Sequence, residues 1–177
     1  MKRLLTIIAI SMLILDGCTS VSVKISNSNS QKNDYLDLVG LSIPKESKIL
    51  ESSDTHRGFH GDGDYYEVIQ LDEKIVKSFE KEALKTGKWN KLPMGKEINL
   101  FIFGYEKKDS NSSYKYVGHG KQIPDNIKNG IYYFRDKYVE QYPDEKNINI
   151  LIRPAYNFVF SILDLDTGKL YILESDS

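Results

Sequence analysis

One cysteine in 177 residues is the first notable scarcity of this chain. A lone thiol forms no internal disulfide, so packing and hydrogen bonding must hold the fold. Long apolar runs are missing too. The longest, Leu4 to Leu15, is interrupted by Thr6 and Ser11, and at about 12 residues it falls short of the roughly 20 that a membrane-spanning helix needs. There is no excess of either charge: 24 Lys and Arg face 25 Asp and Glu, a formal net charge of −1. Nucleic acid needs a concentrated basic face, so this balance argues against it as a partner. The chain lacks a G-x-S-x-G elbow as well, which leaves serine-based hydrolysis without its usual nucleophile turn.

The residues present favour one domain. With 40% hydrophobic and 28% charged residues the chain can bury one core and is short for two. Twelve tyrosines and seven phenylalanines against a single tryptophan favour pleated, half-buried surfaces. The fold class expected is α+β, a mostly antiparallel sheet of about five strands with one or two helices on one face.

The single cysteine is informative through its place. Cys18 follows basic Lys2 and Arg3 and the apolar run, the anatomy of a secretory signal. Removing residues 1–17 takes away Lys2, Arg3 and Asp16 and leaves 22 basic against 24 acidic residues, a charge of −2. From Thr19 to about Asn33 the composition is Ser, Asn, Lys and Gln with scattered valines. Such a stretch buries too little apolar area to offset its ordering entropy. The expected organisation is a signal over 1–17, a modified cysteine and tether over 18–34, and one globular domain over 35–177.

Several elements are legible. Lys48 to Ser53 and Tyr65 to Leu71 read as strands, the second by its alternation. Asp72 is a natural N-cap for a helix over Glu73 to Lys85, with Ile75, Val76, Phe79, Ala83 and Leu84 on one face. Lys96 to Phe103 fits a short helix ended by Gly104 and also fits a strand. Tyr105 to Gly130 is long for a connection, a surface excursion or a lid. Gly130 to Arg135 is a strand, Asp136 to Asn147 a charged loop. Tyr156 to Asp164 and Lys169 to Glu174 form a hairpin whose Gly168 supplies the left-handed residue of the turn. Trp89 is a core anchor beside the helix end.

The chemistry concentrates in Asp54 to Asp64, which holds two of the three histidines, three aspartates and three glycines between two strands. Asp54, His56, His60, Asp62 and Asp64 are the candidate ligand or metal residues, and a curled loop could gather imidazoles and carboxylates on a divalent ion. His119 in Gly118-His119-Gly120 could add a third imidazole, though a solvated loop histidine is the plainer reading. The spacing is not the helical H-E-x-x-H, because Arg57 occupies the place of the glutamate and Gly58 and Gly61 oppose a helix. Asp62-Gly63-Asp64 lacks the closing glutamate of a calcium loop. Successive glycine turns, stabilised by aspartate and histidine bonds to the backbone, explain the same residues without any ligand.

Leu15-Asp16-Gly17-Cys18 resembles the lipobox of bacterial lipoproteins, with Asp16 in place of a small uncharged residue. The resemblance implies cleavage before Cys18 and lipidation of its thiol, hence an exported protein held on the outer face of the cell membrane. Asp54 to Gly63, Trp89 to Pro93, Asn129 to Asp136 and Asp164 to Tyr171 resemble an uncharacterised family of short exported bacterial proteins with a D-T-H-x-G-F-H-G-D-G motif, which usually has glycine at the place of Arg57. That likeness implies one domain and supplies no catalytic residue. The sequence thus points to a cell-envelope lipoprotein that binds a small ligand or an envelope protein. The alternative is a metal-dependent hydrolase using the His56, His60 and aspartate loop.

Overall fold

In a computed structural model, residues 31–56, 62–109 and 112–177 are described. Cys18, His60, the segment taken for the signal and residues 19–30 of the expected tether lie outside these residues, while the tether's last four, 31–34, open a helix that runs Gln31–Val39.

The closing hairpin is the centre of the sheet. Strands β7 (Asn157–Asp164) and β8 (Lys169–Asp176) pair antiparallel from Asn157 opposite Asp176 to Asp164 opposite Lys169. Gly168 at φ 69° supplies the turn expected of it. β8 then pairs with β2 (Gly63–Gln70), and β2 with β1 (Lys48–Asp54). On the other side β7 pairs with β6 (Gly130–Asp136), and β6 with β3 (Trp89–Lys91). The sheet therefore has six strands in the order β1-β2-β8-β7-β6-β3, all antiparallel. A separate hairpin of β4 (Gly104–Asp109) and β5 (Ser112–Val117) occupies the long stretch that the sequence left without an element.

Helices cover both faces of the sheet, where the sequence had suggested one. Helix α1 (Gln31–Val39) and helix α2 (Glu73–Lys85) lie on one face. Tyr35 and Val39, one helical turn apart, join Val76, Phe79 and Ala83 of α2 over Ile69, Ile131, Val159, Leu163, Leu170 and Ile172. Asp72 caps α2 as expected, its side chain accepting from the Lys74 N–H at 2.9 Å. On the opposite face helix α3 (Lys96–Phe103) buries Phe101 and Ile102 against Tyr66, Val68, Phe158, Phe160, Ile162 and Leu173. Gly104 ends α3. The predicted loop after β6 opens with a short helix α4 (Lys137–Gln141), capped by Asp136 accepting from Val139 N–H at 3.2 Å.

Trp89 anchors the first face, as its sequence setting suggested. Its ring meets Phe79 edge-on at 6.1 Å and its indole N–H donates to the Val39 carbonyl at 3.1 Å. Arg135 donates to the Asp37 carbonyl at 3.2 Å. These two donors satisfy carbonyls that a helix C-terminus leaves free, and so fix α1 across the sheet. The outer strand β1 is exposed along its whole length, with an irregularity between Ile49 and Glu51. Such bulges blunt an edge against pairing with other chains.

Candidate functional site

The loop after β1 is closed at its neck by Thr55 and Asp64. Thr55 N–H donates to the Asp64 carbonyl at 2.9 Å, and Asp64 N–H donates to Thr55 Oγ1 at 2.8 Å. Gly63 permits this approach, since a Cβ there would stand 2.7 Å from the His56 nitrogen and 2.9 Å from the Thr55 carbonyl carbon. Glycine at this position is a packing requirement of the neck.

Above the neck, Asp54 gathers His56. One carboxylate oxygen of Asp54 accepts from the His56 backbone N–H at 3.0 Å and lies 2.9 Å from its Nδ1. A local Asx-type turn and a ring contact thus share one acceptor.

The five predicted residues do not share one place. Strand alternation puts Asp54, in register with Tyr65, on the face covered by α1, and turns Asp64 to the opposite face. There Asp64 accepts from the Ser175 hydroxyl. Asp62 is exposed, and His60 lies outside the described residues. His119 belongs to the opposite face as well, its ring 4.4 Å from that of Phe101 and 4.2 Å from that of Tyr156. Burial pushes its pKa below the usual imidazole value, and the charge of Asp64 opposes that shift. Among the described residues no three His, Cys, Asp or Glu side chains gather closely enough to hold a metal ion.

What Asp54 and His56 do share is a cleft of about 340 Å³ between α1 and strands β1, β2 and β8. Its other walls are Tyr35, Asp37 and Leu38 from α1, Tyr65 from β2 and Glu174 from β8. Glu174 is held by Lys137, whose ammonium donates to it at 2.6 Å. Behind the two phenols lies Glu67, fully buried. The Tyr35 hydroxyl donates to its Oε2 at 2.6 Å, while Oε1 has no hydrogen-bond partner. Burial pushes the Glu67 carboxyl above its ordinary value, against the lowering effect of the Tyr35 and Tyr65 hydroxyls. The phenol of Tyr65 is raised in turn, first by burial and then by the neighbouring Glu67 charge.

No family model, curated protein or solved structure matches this chain.

The cleft's own residues must therefore carry the functional argument. Among the described residues they offer carboxylates, phenols and one imidazole, without a serine or cysteine beside a base. Reading the sequence by local density found Asp54 and His56 and missed Tyr35, Glu67 and Glu174. One signal was available for Glu67: it stands between Tyr65 and Ile69 at a spacing of two, an acid on the apolar stripe of a strand. Arg135 and Arg153 are committed to ion pairs. Arg135 binds Glu140 through Nη2 at 2.7 Å, and Arg153 binds Asp136 through Nη1 at 3.0 Å while its guanidinium covers the Tyr138 ring.

Proposed function

We propose that this chain is an exported, lipid-anchored protein of the cell envelope that binds a small polar ligand in the cleft between α1 and strands β1, β2 and β8. One observation carries the reading: the cleft's polar groups are set before any ligand arrives, Asp54 against His56 and Glu174 against Lys137. Groups already held in place lose little freedom on binding, which is how a small cleft gains affinity. Cys18, in its lipobox-like setting, supports the anchor, and the polar stretch that follows would set the domain some tens of ångströms at most from the surface. The metal-dependent hydrolase alternative gains nothing from Asp54 and Asp64, which face opposite sides of the sheet.

The full chain expressed with its own amino terminus is expected in the membrane fraction, starting at Cys18 and carrying acyl mass. Cys18→Ala should abolish both. In a thermal-shift screen of polar small molecules against that chain, a ligand present at about a hundred times its Kd adds roughly 2.7 kcal/mol. That corresponds to a rise in Tm of roughly 5–10 °C for a domain of this size. Asp54→Ala should remove the rise. Recovery of the uncut chain from the cytosol would end the envelope reading, and compounds stabilising Asp54→Ala as well as the parent would end the cleft reading.

A further inference from the structure

We infer that α1 is a latch closed by the proton on Glu67, and that loss of this proton lifts α1 from the sheet while the sheet and α2 stay folded. Glu67 lies in the middle of β2, wholly buried. The Tyr35 hydroxyl of α1 donates to its Oε2 at 2.6 Å, and its Oε1 is buried without a hydrogen-bond partner. Its neighbours across the sheet are Ser52 of β1 and Ile172 of β8. On the same face α2 packs Val76, Phe79 and Ala83, and β6 adds the Tyr133 phenol. Asp37, Asp54, His56 and Glu174 line the cleft on the outer side of Tyr35 and Tyr65, with Lys137 bound to Glu174. Arg135 is shared between Glu140 and the Asp37 carbonyl. An ionised Glu67 under α1 therefore keeps one charged oxygen buried and unpaired, and only the arrival of water relieves that.

Water reaches Glu67 most easily if α1 gives way. The strands on either side of β2 are tied to it by ladders along their length. α1 is a helix of nine residues, and of its described side chains Tyr35 and Val39 are the buried ones. Residues 40–44, which join it to β1, carry no helix or strand, and Gly40 at φ 70° turns the chain at the end of α1. A lightly held element beside such a joint opens at lower cost than the whole domain. Release would also dismantle the cleft, since Tyr35, Asp37 and Leu38 are its α1 wall. The latch itself does not depend on what the cleft binds.

The direction of the pH effect follows from the two forms. With α1 closed, burial raises the Glu67 carboxyl above its ordinary value, against the lowering hydrogen bonds of Tyr35 and Tyr65. With α1 lifted, the carboxyl meets water and ionises near the ordinary value. Between these values the open form has released a proton that the closed form keeps, so each pH unit favours opening by up to about tenfold. Below the window α1 stays closed, and above it the gain levels off. Native-state hydrogen exchange of the full chain in neutral detergent, at several low urea concentrations and from acid to mildly alkaline pH, measures this opening. The amides of Tyr35 to Gly40 are expected to exchange through a step that urea promotes far less than it promotes exchange in β7 and β8. The ratio of its opening constant in the parent to that in Glu67→Gln should grow with pH, by up to about tenfold per unit. An equal pH dependence in parent and variant overturns the inference. So does exchange of the α1 amides with the same urea dependence as β7 and β8, because α1 then leaves only with the whole domain. Should Glu67→Gln fail to fold, the parent decides: an α1 opening step that does not rise with pH overturns the latch.

Discussion

Phe158→Ala is expected to destabilise the protein by about 3–5 kcal/mol, the usual cost of emptying a buried phenylalanine site. Phe158 is fully buried in the middle of the face under α3. Its ring meets Phe101 edge-on at 5.0 Å and Phe134 in a stack at 5.9 Å, with His119 at 5.7 Å. Those neighbours come from α3, β6 and the loop after β5, so they cannot close together over the gap without moving separate elements. Whole domains are stable by only about 5–15 kcal/mol. Urea unfolding should show the loss in full, with a fall in Tm of roughly 10 °C or more. A loss under 1 kcal/mol would mean that α3 does not pack on this strand as described.

The second large effect is a pH dependence carried by Glu67. In the unfolded chain its carboxyl ionises near the ordinary value, while burial in the folded protein raises it. Between the two values the folded state holds the proton that the unfolded state has released, so stability falls as pH rises through that window. Below the ordinary carboxyl value the contribution is fully present. Above the raised value the folded protein carries a buried charge with an unpartnered oxygen, which costs about 1–3 kcal/mol. Glu67→Gln keeps the acceptor for the Tyr35 hydroxyl and cannot ionise. The difference in stability between variant and parent should therefore be small at acid pH and grow in favour of the variant as pH rises. Taking the difference cancels the opposite contribution of His119, whose lowered pKa strengthens the fold as pH rises. Urea unfolding across the acid to mildly alkaline range measures it, and parallel curves for the two proteins would refute the buried charge.

Much of the fold was legible because local rules and packing agree in it. Asp72 caps α2, Gly104 ends α3 and Gly168 turns the last hairpin, each where its side chain or its lack of one suits the backbone. The second covered face was legible too, in a signal passed over. Phe158 to Leu163 and Leu170 to Leu173 are buried without interruption. Unbroken apolar runs of this kind mark strands covered on both sides, whereas alternation marks strands with one wet face. The β4-β5 hairpin was hidden because its alternation is confined to Tyr114-Lys115-Tyr116 among Lys, Ser and Glu, and α4 because five residues with only Tyr138 and Val139 apolar carry no helical stripe.

The site was legible only in part for a geometric reason. Density along the chain singled out Asp54 to Asp64, but a strand sends successive side chains to opposite faces. Asp54 and His56 therefore meet residues distant in sequence, Tyr35 and Glu174, and part from Asp64. Which helix covers a sheet end depends on long-range packing, and Tyr35 of α1 sits 32 residues before the Glu67 it bonds.

The cleft is the centre of the functional account, and shift mapping tests it most directly. Amide spectra of the full chain, recorded with each compound that raises its Tm, should change at Tyr35, Leu38, Asp54, His56, Tyr65 and Glu174 and stay fixed in Asp54→Ala. Changes gathered on the opposite face, around Phe103 and Pro124, with the α1 side undisturbed, would contradict it.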